Sequence, residues 1–157
     1  MKKKRKLKNS KIKIGWREYI SIPTFGIKRI KIKVDTGART SALHVTDLIL
    51  VHRGKTLYAE FKLHPNQQKM APHLLTRKRV EGHRLVKSSN GQSEKRPLIH
   101  VDVVFGEFRK TIEVTLTNRD LMGFRMLLGR TALKGNFIID PSRSYLLTRS
   151  LPRKKSV

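Results

Sequence analysis

The sequence predicts an all-β protein. Three observations carry that prediction: apolar and polar residues alternate over short runs, turn residues separate the runs at close intervals, and no long segment shows helical period. Many short strands of this kind bury one face each by closing into a barrel or packing as a sandwich. The chain has 157 residues, which suits one domain and suffices to bury a core. No internal repeat is visible.

Ile30, Ile32 and Val34 alternate with Lys31 and Lys33, the pattern of a half-buried strand. Leu48–Val51 and Leu57–Phe61 flank Arg53-Gly54-Lys55 and predict a hairpin. Residues 64–79 are polar and irregular and read as a loop. Val80–Val86 and Leu98–Val104 flank Ser88-Ser89-Asn90-Gly91, and Asn-Gly is a strong hairpin-turn signal. Gly106-Glu107 turns Val101–Phe105 back into Thr111–Leu116. Thr131–Lys134, before Gly135, is the best candidate for a short helix. Phe137–Ile139 and Tyr145–Leu147 flank Asp140-Pro141-Ser142 and read as a last strand pair.

The formal net charge is +25. Residues 1–13 carry eight Lys/Arg and no acid, and residues 149–157 carry four and no acid. Subtracting those 12 from +25 leaves +13 on residues 14–148, so the expected domain is itself basic. Runs of like charge with little to bury are expected to be disordered tails. A field of this sign attracts polyanions: acidic peptide, ribosome or nucleic acid. The tails are the expected route to ribosome or nucleic acid. Ten Phe, Trp and Tyr in all, with no RNP-type motif and no zinc finger, favour backbone electrostatics over base reading. No run approaches 18 apolar residues, and no apolar segment follows the charged N-terminus, so neither a membrane span nor a secretory signal is expected. With no cysteine there is no disulfide and no thiolate chemistry. A cytoplasmic location is the expectation.

The stretch that carries chemistry is KVDTGARTSAL, Lys33 to Leu43. An apolar strand runs into Asp35, Thr36 and Gly37, with Ala38 and Arg39 behind them. Asp-Thr-Gly alone is often only a β-turn. Its context adds weight: MLLGR, Met126–Arg130, comes about ninety residues later, with a glycine that permits close backbone approach. Serine chemistry lacks G-x-S-x-G. Zinc chemistry lacks HExxH, and none of His44, His52, His64, His73, His83 and His100 forms a ligand pair with a nearby glutamate in helical register. Gly54-Lys55-Thr56 ends like a phosphate-binding loop, but Ile49 stands where its first glycine belongs.

VDTGA at 34–38, a turn-tipped hairpin at 84–98 and LLGR at 127–130 come in the order of the retropepsin-like aspartic proteases, which the chain resembles. GWREYISIP (15–23), KVDTGARTSALH (33–44), EVTLTNRD (113–120) and FRMLLGR (124–130) are more closely similar to the bacterial family that carries the name ATP-dependent zinc protease. The resemblance covers roughly residues 14–148 and implies a closed acid-protease barrel with one short helix after LLGR. It implies a peptidase in which Asp35, Thr36 and Gly37 are catalytic. Ala38, Arg39 and the flap tip Ser88, Ser89, Asn90 and Gly91 would meet substrate. Leu127, Leu128, Gly129 and Arg130 would support the loop. The residues support the aspartic chemistry better than they support ATP or zinc, so no cofactor and no metal is expected.

Aspartic catalysis needs two carboxylates, and the remaining aspartates sit in TDL, VDV, RDL and DPS. A chain with one such loop must find its partner in a second copy, so a homodimer is expected. Thr36 would brace the two loops across the dimer. Retropepsins commonly carry an acid two residues after the glycine, paired with the arginine of Gly-Arg. Here that position is Arg39, so Arg130 must find another acid, with Asp120 the candidate, and a cation stands beside the groove. The expected substrate is therefore acidic. Members of the resembled family occur with ATP-grasp glutamate ligases, which implies glutamate-modified proteins as substrates. A non-catalytic module that binds ribosome or nucleic acid and a zinc-dependent peptidase are the alternatives.

Overall fold

The computed structural model describes residues 10–65, 74–88 and 90–149, with Thr148 and Arg149 described by their backbone only. Eleven strands dominate the described residues. They are β1 (Ile12–Gly15), β2 (Arg17–Ile22), β3 (Ile27–Val34), β4 (Ser41–Arg53), β5 (Thr56–Leu63), β6 (Leu74–Arg79), β7 (Gly82–Lys87), β8 (Ser93–Phe105), β9 (Phe108–Thr117), β10 (Met126–Leu128) and β11 (Phe137–Asp140). Two four-residue helices complete the set, α1 (Arg130–Leu133) after the LLGR segment and α2 (Leu146–Arg149).

Pairing runs β10–β3–β2–β8–β9–β4, and β10 also pairs with β4, so six strands form a closed ring. The alternation seen in the sequence is the reason. Ile30 and Ile32 are 2% and 0% exposed while Lys31 and Lys33 look outward. Ile20, Ile22, Leu43, Val101, Val103, Phe105, Val114 and Leu116 fill the same interior. Each such side chain contributes roughly 1.5–3 kcal/mol by leaving water. Outside the ring, β4 bends at a register shift between Thr46 and Ile49, where Asp47 has φ 51°. Its outer half pairs with β5, and β5 with β6, as a three-stranded arm.

Both central hairpins form as expected. Gly54 (φ 61°) turns β4 into β5, and Gly106 (φ 63°) turns β8 into β9. Two expectations fail. Residues 74–79 are not loop: they form β6, an edge strand with no buried residue, in which exposed Leu74 and Leu75 stand side by side before Thr76, Arg77, Lys78 and Arg79, so no apolar–polar alternation marks it. Residues 66–73 lie outside the described residues. Tyr145–Leu147 is not a strand either. Tyr145 takes φ 58°, which ends extended backbone, and the Glu18 carboxylate accepts the N–H groups of Leu146 (2.8 Å) and Leu147 (3.2 Å) at the start of α2. The pairing of β11 is instead with β1, in parallel, from Ile12↔Phe137 to Gly15↔Asp140. Strand β1 thus starts at Ile12, two residues before the expected start of the domain.

Candidate active site

Strand β3 delivers Asp35 into a turn that the far end of the chain holds in place. The Asp35 N–H donates to the Leu128 carbonyl (2.9 Å), and the Ala38 N–H donates to the Asp35 carbonyl (3.2 Å). The Gly37 N–H donates to Asp35 Oδ1 at 3.0 Å, which aims the half-buried carboxylate. Strand β10 is wedged between β3, to which it runs parallel, and β4, to which it runs antiparallel. Gly129 continues it past Thr40 so closely that a Cβ there would lie 2.6 Å from the Thr40 carbonyl carbon. This is the close approach the sequence suggested.

Three more bonds tie the same segments. The Gly129 N–H donates to Ser41 Oγ (3.0 Å), the Arg130 N–H to the Ala38 carbonyl (2.9 Å) and the Thr131 N–H to the Arg39 carbonyl (3.0 Å). Arg130 Nη1 donates to the Thr36 carbonyl at 2.9 Å. Asp120 is not its partner. That carboxylate accepts the Gly123 N–H at 2.9 Å, and Arg130 has no ion pair among the described residues. A backbone carbonyl takes the place of the missing acid.

A groove of about 460 Å³ opens over the loop. Asp35, Gly37, Ala38, Arg39 and Leu127 line its floor, and Arg84, Leu85, Val86 and Lys87 of β7, with Arg96 of β8, line its other wall. Arg84 and Arg96 stand directly opposite across the β7–β8 hairpin. Arg84 reaches Glu113 at 3.3 Å and Arg96 reaches Glu94 at 2.9 Å. Arg39 makes no ion pair among the described residues. One carboxylate, Asp35, therefore faces four cations along this lining. Arg39 also borders a second cavity of about 650 Å³ with Thr36, Arg130 and Thr131.

Thr36 is exposed and lies outside the groove lining. Leu128 and Gly129 sit beneath the loop as supports. At the hairpin tip, Ser88 and Asn90 hydrogen-bond to each other and Gly91 takes φ 83°. The groove lining ends at Lys87, short of Ser88, Asn90 and Gly91. Ser89 lies outside the described residues. Sequence reasoning missed Arg84, Lys87 and Arg96, although two arginines facing each other on one hairpin were a readable signal. It also missed Ser41, whose hydroxyl sits under Gly129.

The residues do not fit a catalytic zinc. Among the described residues no group of three or more His, Asp or Glu is placed to hold a metal ion. His44 and His64 have ring centroids 6.4 Å apart, but Arg119's carbonyl takes His44 Nδ1 and Thr46 Oγ1 takes His64 Nε2. Gly54-Lys55 is the tight turn between β4 and β5, and Ile49, where a phosphate-binding loop would have its first glycine, is paired with Glu60 within the hairpin.

Residues 13–150 match the family profile RimB-like, described as "Retropepsin-like aspartic endopeptidase RimB". The chain belongs to this family. Its description names an aspartic endopeptidase, in agreement with the loop geometry, and says nothing of ATP or zinc. Relatives in Shewanella pealeana (40% identical over 141 residues, 90% of this chain) and Parasynechococcus marenigrum (39% over 137 residues, 87%) are each named "Probable alpha-L-glutamate ligase". The match takes 31% and 29% of their lengths, so this RimB-like chain spans about a third of those proteins. The crystal structure of Lpg0085 from Legionella pneumophila, a protein of unknown function, shares the fold: TM-score 0.71 and 24% identity, over 88% of this chain and 99% of that one. No helix among the described residues is long and apolar enough to cross a membrane.

Proposed function

We propose that the chain is an aspartic endopeptidase whose dyad forms from Asp35 of two copies, in the cytoplasm, on acidic or glutamate-modified proteins. The observation that carries the reading is the Asp35 loop: one carboxylate, aimed by the Gly37 N–H, locked beneath by β10 and open to a groove above. Two such carboxylates close together share one proton, because both cannot ionise readily. The ionised one takes a proton from water as its oxygen attacks the peptide carbonyl carbon, and the protonated one gives its proton to the carbonyl oxygen. The tetrahedral diol then collapses. The C–N bond breaks as the nitrogen takes a proton from the carboxyl now holding it and a diol hydroxyl returns its proton to the other carboxylate, so acid and amine leave and the dyad again shares one proton.

Substrate charge is set by the lining. Arg39 stands beside Asp35 with its fork unpaired among the described residues, so it is able to take a substrate carboxylate bidentately. Such a bond is worth about 1.5–3 kcal/mol, roughly ten- to a hundredfold in kcat/KM. The glutamate-ligase names of relatives that contain a matching segment point the same way.

The test is kinetic. Asp35→Asn should abolish turnover while the melting temperature holds; an Asp35→Asn protein that still cleaves rules the chemistry out, and chelator-sensitive cleavage would return zinc. A Glu-rich peptide should be cut in preference to its Gln counterpart. That preference should shrink in Arg39→Ala and with added salt. Equal cleavage of both peptides by both enzymes would show Arg39 to be structural.

A further inference from the structure

The peptidase reading leaves one charged surface unused. Strands β2 and β3 turn their inner residues, Glu18, Ile20, Ile30 and Ile32, into the protein. Their outward face carries Arg17 and Tyr19 on β2 and Arg29, Lys31 and Lys33 on β3, with no acid among them. The register sets Arg17 opposite Lys33 and Tyr19 opposite Lys31. Like charges directly opposite, as Arg17 and Lys33 are, weaken a sheet.

The cations are stacked into a ladder. The Arg29 guanidinium lies 3.7 Å from the Tyr19 ring centroid. Tyr19 stacks on Tyr145 at 4.8 Å and 19°. Arg17 lies over both Tyr145 (5.0 Å) and Trp16 (4.5 Å), and Trp16 meets Phe124 edge to face at 6.3 Å. Lys31 lies 5.6 Å from the Phe124 ring. An aromatic ring behind a guanidinium holds its plane and leaves the N–H fork free to grip a phosphate. Arg29 is exposed, with Tyr19 on one side and no ion pair among the described residues, so its outer face is open. Unpaired bases stack on arginine planes of this kind. Beside it lies a pocket of about 310 Å³ lined by Tyr19, Ser21, Lys28 and Arg29 among others.

We infer that the outward face of β2–β3 binds single-stranded RNA, with Arg29 and Lys31 on phosphates and a base stacked on Arg29. Single strands suit the face because they offer splayed bases together with phosphates, whereas a duplex offers only its backbone to a flat sheet. The face is distinct from the charged termini, whose attraction needs no particular geometry.

Fluorescence anisotropy of a labelled 12-nucleotide oligouridylate, with the full chain across a salt series, tests it. Arg29→Gln/Lys31→Gln should bind about tenfold more weakly. Its log Kd against log salt should flatten by roughly 1.4, since each lost phosphate contact removes about 0.7 for a single strand. Arg29→Lys should keep the salt slope and still lose several-fold in affinity. Both variants should melt like the wild type and cleave a short peptide at the wild-type rate. Replacing Lys2, Lys3, Lys4, Arg5 and Lys6 by Gln should weaken single-strand and duplex binding alike and leave the effect of the face substitutions intact. The inference is overturned if Arg29→Gln/Lys31→Gln binds the oligonucleotide like the wild type, or if a 12-base-pair duplex binds as tightly as the single strand. It is equally overturned if the double variant loses affinity for a labelled oligoglutamate peptide but not for RNA, because the face would then be a polypeptide exosite.

Discussion

Gly129 shows how much of the site rests on one missing side chain. Its backbone passes Arg39 and Thr40 with no room for a methyl group. Gly129→Ala must push β10 away from the Asp35 loop, and overpacking of this kind costs about 3 kcal/mol. The variant should lower the melting temperature and remove peptidase activity together, which thermal denaturation and a turnover assay would check. The importance of this glycine was legible through the resemblance to aspartic proteases, in which an apolar-apolar-Gly segment packs beside the Asp-Thr-Gly loop, and through the close approach that glycine permits. Glu18 was not legible. A glutamate inside an alternating strand reads as a solvent-facing residue, yet it is 0% exposed. Its oxygens accept the N–H groups of Gly15 (2.8 Å), Leu146 and Leu147. The donors come from 128 and 129 residues away in two of the three cases, beyond the reach of any local pattern.

At the scale of elements, hairpins were legible and the closing segments were not. The β4–β5, β7–β8 and β8–β9 turns advertise themselves through glycine and asparagine, because each must adopt left-handed backbone or a tight reversal. Strand β11 advertises a neighbour, but it takes β1 from the opposite end of the described chain and not the residues just after it. Directly after β11 the chain turns under a cap from Asp140, whose Oδ1 accepts the Ser142 hydroxyl (2.6 Å) and the Ser142 N–H (3.0 Å). Those bonds, the side-chain one first, hold the Asp140 carboxyl below its ordinary 3.8, and nearby Lys13 and Arg143 add to the effect. A depressed carboxyl contributes stability that is present above 3.8 and lost as pH falls through the lower folded value. Asp140→Asn should therefore melt slightly below the wild type near neutrality, and the gap should close in acid below about 3.8. The effect is small because the group is exposed to solvent. Melting curves at several pH values measure it, and a gap that widened on acidification would contradict the sign.

For the whole molecule, the ring was legible as a class and not as a path. Alternation identifies inward faces, whereas the wedging of β10 between β3 and β4 depends on pairing that no single strand encodes. On the proposed reading, the missing second carboxylate would likewise be a property of the assembly. If two copies share the dyad, wild type mixed with excess Asp35→Asn should lose activity faster than simple dilution allows, as mixed dimers form. Full activity in a sample shown by ultracentrifugation to be monomeric would end that reading. The closure at β10 has a further consequence, in time. Gly129 and Ser41 are 88 residues apart, and Arg130 and Thr36 are 94 apart. During translation at about 5–20 residues per second, roughly 5–20 s separate the emergence of the Asp35 loop from that of the strand that locks it. Through that interval the nascent chain carries Asp35 and the Gly37 N–H that aims it, without the Leu128 carbonyl and Arg130 side chain that hold their loop in place. Contacts this distant in sequence also form late in refolding. On the proposed peptidase reading, the chain would be unable to cut peptide bonds beside the ribosome that is making it until nearly all of its ring is in place.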